Sequence, residues 1–418
     1  MSEMCVYCNE SNDFNGEHMF SAGLGGDDKN YILDDCICKQ CNSALSKLEN
    51  ELMRKSVVGF ARNILQDVGR DRGKKTKPPT MQLSSTHIWI DDIPIEALNL
   101  SKLRAKILPQ IVISQGKVFG TADNDQEWNI FFQKLEKLFS SKDIFLVEKE
   151  GLENSKEFKV TMLKEHEGEL VLGDTFFQDK PPKEAAIWIN LQDSYGLTPE
   201  QQASFPPRFY LHDGNSINYK STDSITFLTD LKNAHNYFHK TPLNPDYQEK
   251  TILHPLVNSG LTIDISAGDR ALAKNGLNLL VKTMGAEYVR NESFSKIKSS
   301  ILKGNPELPF GMMDKDNPLQ LFLGDAPKDH HVMFLAESRI GDNRSVIVFV
   351  IKLYGGAAFQ FCLATDAPSP NWQKPIYYLV DFQKHEIKSV DAIEYIRIHC
   401  PKFMQSSPLG SVKEPGQN

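Results

Sequence analysis

Four cysteines near the start of the chain have the spacing of a metal site. Cys5-x2-Cys8 and Cys38-x2-Cys41 form two pairs, and Glu17-His18 lies between them. A Cys-x2-Cys turn lets two thiolates converge on one ion, and two such turns complete a tetrahedral S4 set suited to zinc. The 29-residue gap between the pairs is long, so it must hold structure of its own. Zinc would supply stability that so short a segment cannot draw from apolar burial. The plainer alternative is that these thiols pack as small apolar groups. Cys36 offers a competing ligand. Cys38 is preferred because Cys38-x2-Cys41 repeats the geometry of Cys5-x2-Cys8, which leaves Cys36 as a buried residue before the turn. Only Cys362 and Cys400 occur elsewhere. A disulfide framework would spread its cysteines, so this distribution predicts a reducing, cytoplasmic setting.

The Glu17-His18 dipeptide carries the second chemistry. An imidazole can take a proton from water near neutral pH. A carboxylate beside it can hold a divalent ion that stabilises charge on a phosphorane and its leaving oxygen. Gly25-Gly26 permits a tight reversal that carries the chain back across the Glu-His strand. Asn42 directly follows the last cysteine, where its amide could face the same ion. Taken singly, His18 reads as a structural histidine and Asn42 as a helix cap; between two cysteine pairs they are more specific.

The order Cys-x2-Cys, Glu-His, Leu-Gly-Gly and Cys-x2-Cys-Asn, with a Glu further along the helix, resembles the HNH endonucleases (His-Me finger, ββα-metal fold), in the subgroup with a four-cysteine zinc site. The likeness covers residues 3–56 closely and extends to about residue 75. It implies that His18 is the general base, and that Glu17 and Asn42 hold a catalytic Mg²⁺ or Mn²⁺ ion. It further implies that Asn30 orients the base and that Glu49 assists at the ion. Two departures stand out. Ser21 takes the place of the usual proline, which costs turn rigidity, and Asn rather than His stands at position 42.

Residues 43–66 read as a helix with a break near Gly59. From Arg54 to Lys77 the chain carries eight basic residues (Arg54, Lys55, Arg62, Arg70, Arg72, Lys74, Lys75, Lys77) against two acidic ones, a local +6 in a chain of net charge −7. Such an inversion of sign suits a polyanion, here DNA, although a solvated linker has the same composition. Nothing in it encodes base readout.

At 418 residues, with 40% hydrophobic and 24% charged residues, the composition is that of ordinary globular domains. The reading is an α+β protein with four parts. A nuclease-like finger and its basic extension span 1–79, an accessory α+β domain 80–247, a C-terminal α+β domain 248–404, and a disordered tail 405–418. Strands are expected at 87–90, 110–113, 158–162 and 186–189, and helices at 127–139, 271–284 and 294–303. The apolar run 345–364 is long enough to span a membrane, but Lys352 and Gly355-Gly356 interrupt it, so a buried β-hairpin is expected instead. No signal peptide or membrane partner is expected. His330-His331 and the i, i+4 pair His235/His239 are minor metal candidates, each with a simpler structural reading.

The sequence thus predicts an HNH endonuclease that hydrolyses DNA phosphodiester bonds. One active site per chain would make a double-strand cutter a homodimer. The large region after residue 80 suggests, by analogy of architecture, an antiviral defence effector whose sensor answers a small-molecule or protein activator. That reading expects low basal cleavage and release by truncation near residue 80. The alternative is a zinc-stabilised nucleic-acid-binding module without catalysis.

Overall fold

The computed structural model describes residues 4–10, 13–27, 29–69, 78–83, 85–100, 102, 104–149, 157–166, 169–182, 185–191, 205–212, 214–222, 225–241 and 250–406. The basic positions Arg70, Arg72, Lys74, Lys75 and Lys77 fall outside the described residues, as does most of the expected tail. The chain forms two units. One comprises residues 1–83, 101–103 and 261–418, the other 84–100 and 104–260. The sequence separates the finger from the C-terminal part, whereas the structure joins them in one unit.

In the first unit, two short strands, β1 (Glu17–His18) and β2 (Ile32–Leu33), pair antiparallel with Glu17 opposite Leu33 and His18 opposite Ile32. Between them Gly25 adopts φ +97° at the end of a short turn. A side chain there would collide with the Phe382 backbone at 2.5 Å, and one at Gly26 with the Phe20 carbonyl at 2.2 Å. The expected reversal therefore needs both glycines. Helix α1 (Lys39–Arg54) follows. It buries Cys41, Leu45, Leu48 and Leu52, a 3.6-residue stripe. The break comes at Lys55-Ser56, earlier than Gly59 suggests. The Ser56 hydroxyl caps α2 (Val57–Leu65) by accepting the Gly59 N–H at 3.0 Å.

The same unit contains a long core helix, Ile265–Met284, capped by Asp264. From Ala271 to Val281 every side chain of this helix is buried. It shares one apolar cluster with Leu45, Leu48 and Leu52 of α1 and with Phe349 and Phe361 of a five-stranded antiparallel sheet. That sheet contains Arg344–Lys352 and Ala358–Pro368 as adjacent strands, so the 345–364 run is the expected hairpin. No helix is long and apolar enough to cross a membrane among the described residues.

The second unit is a mixed eight-stranded sheet and a four-stranded antiparallel sheet. Strand Ala186–Leu191 runs parallel to both its neighbours, Ile144–Lys149 and Ser216–Ser221. Helix Asp125–Phe139 buries Trp128, Phe131, Phe132, Leu135 and Leu138, the stripe its sequence predicts.

Candidate functional site

The four expected cysteines come together. The Sγ atoms of Cys5, Cys8, Cys38 and Cys41 all lie within 4.8 Å of one another. Cys8 and Cys38 Sγ are 3.8 Å apart. A tetrahedral ion with Zn–S bonds of about 2.3 Å needs sulfurs about 3.8 Å apart, so the cluster fits a structural zinc. The backbone N–H of Cys38 points at Cys5 Sγ (3.4 Å) and that of Cys41 at Cys38 Sγ (3.5 Å). Such donors stabilise thiolate charge. The Cys41 thiol and the backbone N–H groups of Cys38, Cys8 and Tyr7 outweigh burial and pull the Cys5 thiol down to about 4. Cys36 is outside the cluster, and burial pushes its thiol up to about 11.

Glu17 and His18 occupy successive positions of β1, so their side chains leave opposite faces. Glu17 is buried and His18 half-buried. Glu17 faces the core helix, where the Lys274 ammonium bonds its Oε1. The same ammonium donates to Glu49 Oε1 at 2.7 Å and lies 3.5 Å from the His18 carbonyl. Lys274 is fully buried, yet the carboxylates of Glu49 and Glu17 outweigh desolvation and hold its ammonium above the ordinary lysine range. Burial opposes the charge on Glu49 as well. Lys274, the Ser21 hydroxyl and His18 more than offset it and keep the carboxyl below its usual range. Two carboxylates against one ammonium leave one formal negative charge.

Ser21, the departure from proline, is part of this arrangement. Its hydroxyl lies 2.7 Å from Glu49 Oε1 and its N–H donates to Asn275 Oδ1 at 3.1 Å. A proline would lose both bonds. A relay also joins the cysteine cluster to the base strand. Tyr7, between Cys5 and Cys8, donates to Asn278 Oδ1 at 2.8 Å, and Asn278 Nδ2 donates to the His18 carbonyl at 3.0 Å. Burial pushes the Tyr7 hydroxyl far up, so it stays a neutral donor.

The remaining predicted residues are spent differently. Asn42 Nδ2 donates to Asn15 Oδ1 at 3.0 Å, and its Oδ1 accepts the Ser46 hydroxyl at 3.3 Å. Asn30 is exposed and tied to Asp27 through its own N–H and Nδ2, both at 3.0 Å. In this arrangement Oε1 of Glu17 and Oε1 of Glu49 are both bonded to Lys274, and the Asn42 amide is engaged at both ends, so a divalent ion on Glu17, Asn42 and Glu49 would have to share these groups with their present partners. Of the basic residues, Arg54 is exposed, and Lys55 pairs with Glu51 at 2.9 Å. Arg62 is buried and bonds the carbonyls of Gly23 (2.7 Å) and Gly69 (3.1 Å), so it braces the loop after β1.

Sequence reasoning missed Lys274, Asn275, Asn278 and Tyr7. For the first three the available signal was three polar residues inside the otherwise apolar or glycine stretch Ala271–Val281, which burial obliges to find partners.

The minor candidates resolve simply. His331 is fully buried; its Nε2 faces the Leu24 carbonyl at 3.1 Å and its Nδ1 the Tyr354 N–H at 3.1 Å. His235 and His239 Nε2 lie 3.0 Å apart, but no third ligand joins them among the described residues. The second unit has its own buried charges. Glu96 Oε1 receives His87 Nε2 (2.8 Å) and Lys220 Nζ (2.9 Å). Burial raises the Glu96 carboxyl, but His87, Lys220 and Arg208 together pull it down to about 2. Arg208 completes this network on the carbonyls of Pro206 and Pro94. Compared with known proteins, the chain matches no family model, no curated protein and no solved structure.

Proposed function

We propose that the first unit is an HNH-type endonuclease that hydrolyses DNA phosphodiester bonds, with His18 as general base. The observation that carries this reading is the juxtaposition of a four-cysteine cluster with a strand bearing Glu17-His18 and a helix bearing Glu49. On this reading zinc fixes the fold. The relay through Tyr7 and Asn278 and the Lys274 contact hold the His18 backbone, while the imidazole, on the other face of β1, takes a proton from the attacking water. Arg54 and the basic segment after it attract the DNA backbone. Regulation by an activator, a role in antiviral defence and action as a homodimer are extensions of the same proposal.

A second reading, a nucleic-acid-binding finger without catalysis, is favoured by one observation: the Lys274 ammonium on both acids. A supercoiled-plasmid assay decides between them. Wild type and His18→Ala are compared as full chains in EDTA, in Mg²⁺ and in Mn²⁺, with zinc content measured in each. The endonuclease reading expects nicked or linear product from wild type alone, with loss by His18→Ala of about 10²-fold or more. Equal cleavage by both proteins overturns the role of His18. DNA retention that weakens with salt, without cleavage in any condition, establishes the binding module.

A further inference from the structure

The resemblance places a divalent ion on Glu17 and Asn42 with Glu49 assisting, and the structure sets an ammonium between the two carboxylates of that group. Three features make Lys274 more than a nearby counter-charge. Its three N–H donors meet three acceptors: Glu17 Oε1, Glu49 Oε1 and the His18 carbonyl. An ammonium has no fourth donor, so its hydrogen-bonding capacity is filled. Its side chain is 1% exposed. It also stands at the middle of a helix whose flanking residues, Ala271 to Val281, are all buried in the core shared with α1 and the five-stranded sheet. Withdrawing it would break that packing, so it is a fixed component and no mobile plug.

We infer that Lys274 is the resident cation of this site, standing in for the divalent ion between Glu17 and Glu49 and, through the His18 carbonyl, positioning the base strand. The inference rests on the proposed nuclease reading and deepens it. Phosphodiester hydrolysis at this site then needs no ion on the Glu17/Glu49 pair. Lys274 does not reach solvent and so does not touch substrate; it is a positioning residue. Ser21 fits the same scheme, because its hydroxyl gives Glu49 Oε1 a second donor beside the ammonium, whereas a metal ligand would keep that oxygen for the ion.

The test reads metal binding, not cleavage. Full-length wild type, Glu17→Gln, Lys274→Met, Lys274→Arg and the double variant Lys274→Met/Glu17→Gln are titrated with Mn²⁺. Free ion is followed by electron paramagnetic resonance, with zinc content and thermal melting recorded for each protein. The expected result is that wild type and Lys274→Arg show no Mn²⁺ site that depends on Glu17. Lys274→Met gains one, which raises its overall Mn²⁺ affinity about tenfold or more over wild type, and the double variant loses it. Two results overturn the inference: Mn²⁺ binding by wild type that falls in Glu17→Gln, or a folded, zinc-loaded Lys274→Met that gains no Mn²⁺ site. Should Lys274→Met not fold, Lys274→Gln takes its place. The comparison of wild type with Glu17→Gln decides by itself if neither folds: Glu17-dependent binding overturns the inference, and its absence supports it. The readout is independent of cleavage, so a failed nuclease assay and a failed lysine assignment are told apart.

Discussion

Acidification should loosen the first unit through a single side chain, His331. It is buried in a ring cage of Phe20, Tyr354 and Phe382, with Phe382 stacked at 4.9 Å. Both ring nitrogens are spent on backbone: Nε2–H donates to the Leu24 carbonyl and Nδ1 accepts the Tyr354 N–H. Protonation of Nδ1 would set two donors against each other in an apolar pocket. Burial chiefly, with His330 adding to it, pushes the imidazole down to about 3 from 6.5. The unfolded chain therefore binds the proton first, and stability is full above pH 6.5 and lost as pH falls toward 3. Each tenfold difference in proton affinity between the folded and unfolded chain is worth about 1.4 kcal/mol. Between pH 6 and pH 4 the loss from this group alone is then about 2.5 kcal/mol, and the limit below pH 3 is about 5 kcal/mol. The assay is amide hydrogen exchange of peptides from the core helix Ile265–Met284, which reports the first unit alone, in wild type and His331→Gln from pH 4 to pH 6. Carboxylates such as Glu49 contribute equally to both proteins and cancel in the difference. Parallel pH profiles for the two proteins would refute the reasoning, because they would mean that His331 titrates alike in the folded and unfolded chain.

Two further substitutions, with a third as a neutral comparison, test the packing that holds the site. Gly276 lets the core helix close onto the sheet, since a Cβ there would meet Phe349 Cδ1 at 2.4 Å. Gly276→Ala should cost about 1–3 kcal/mol in opening free energy by hydrogen exchange despite its better helix propensity. Gly341→Ala, with nothing within 4 Å of the added Cβ, should change stability by less than about 0.5 kcal/mol. Arg62→Ala removes the bonds to the Gly23 and Gly69 carbonyls and should cost about 2–3 kcal/mol. It should leave the salt dependence of DNA retention unchanged; a shallower salt slope in the folded variant would return Arg62 to the phosphate-contacting set.

What the sequence made legible is local. Cys-x2-Cys is a turn whose geometry two residues decide, so the four-cysteine cluster was readable from the repeated spacing. The stripe Cys41, Leu45, Leu48 and Leu52 announces α1, and Gly25-Gly26 announces the reversal, because each depends on neighbours within a few positions. The basic run did not sort itself. Arg54 and Arg62 have the same chemistry and lie eight residues apart, yet one is exposed and the other buried beneath the Gly23 turn. Only tertiary packing separates them.

The rest was hidden by distance along the chain. Lys274 meets Glu49 across 225 positions and Asn278 meets Tyr7 across 271, because the chain leaves the first unit near residue 83 and returns near residue 261. No local pattern spans that insertion. A weaker, non-local signal was present all the same. Lys274, Asn275 and Asn278 fall at i, i+1 and i+4 of the helix stretch Ala271–Val281, which is otherwise apolar or glycine and buried throughout, and such a stretch cannot solvate a lysine. Such a residue must meet buried acids elsewhere, and Glu17 and Glu49 were the acids already assigned to one place. Taken together, these constraints bind the N-terminal segment to the core helix. Cut near residue 80, it would lose the ammonium that compensates Glu17 and Glu49, both donors on the His18 carbonyl and the apolar face against which α1 packs. Two unpaired carboxylates side by side repel and are costly to bury. The segment that the sequence presents as a self-contained nuclease with a sensor attached is one half of a site whose other half is the core helix.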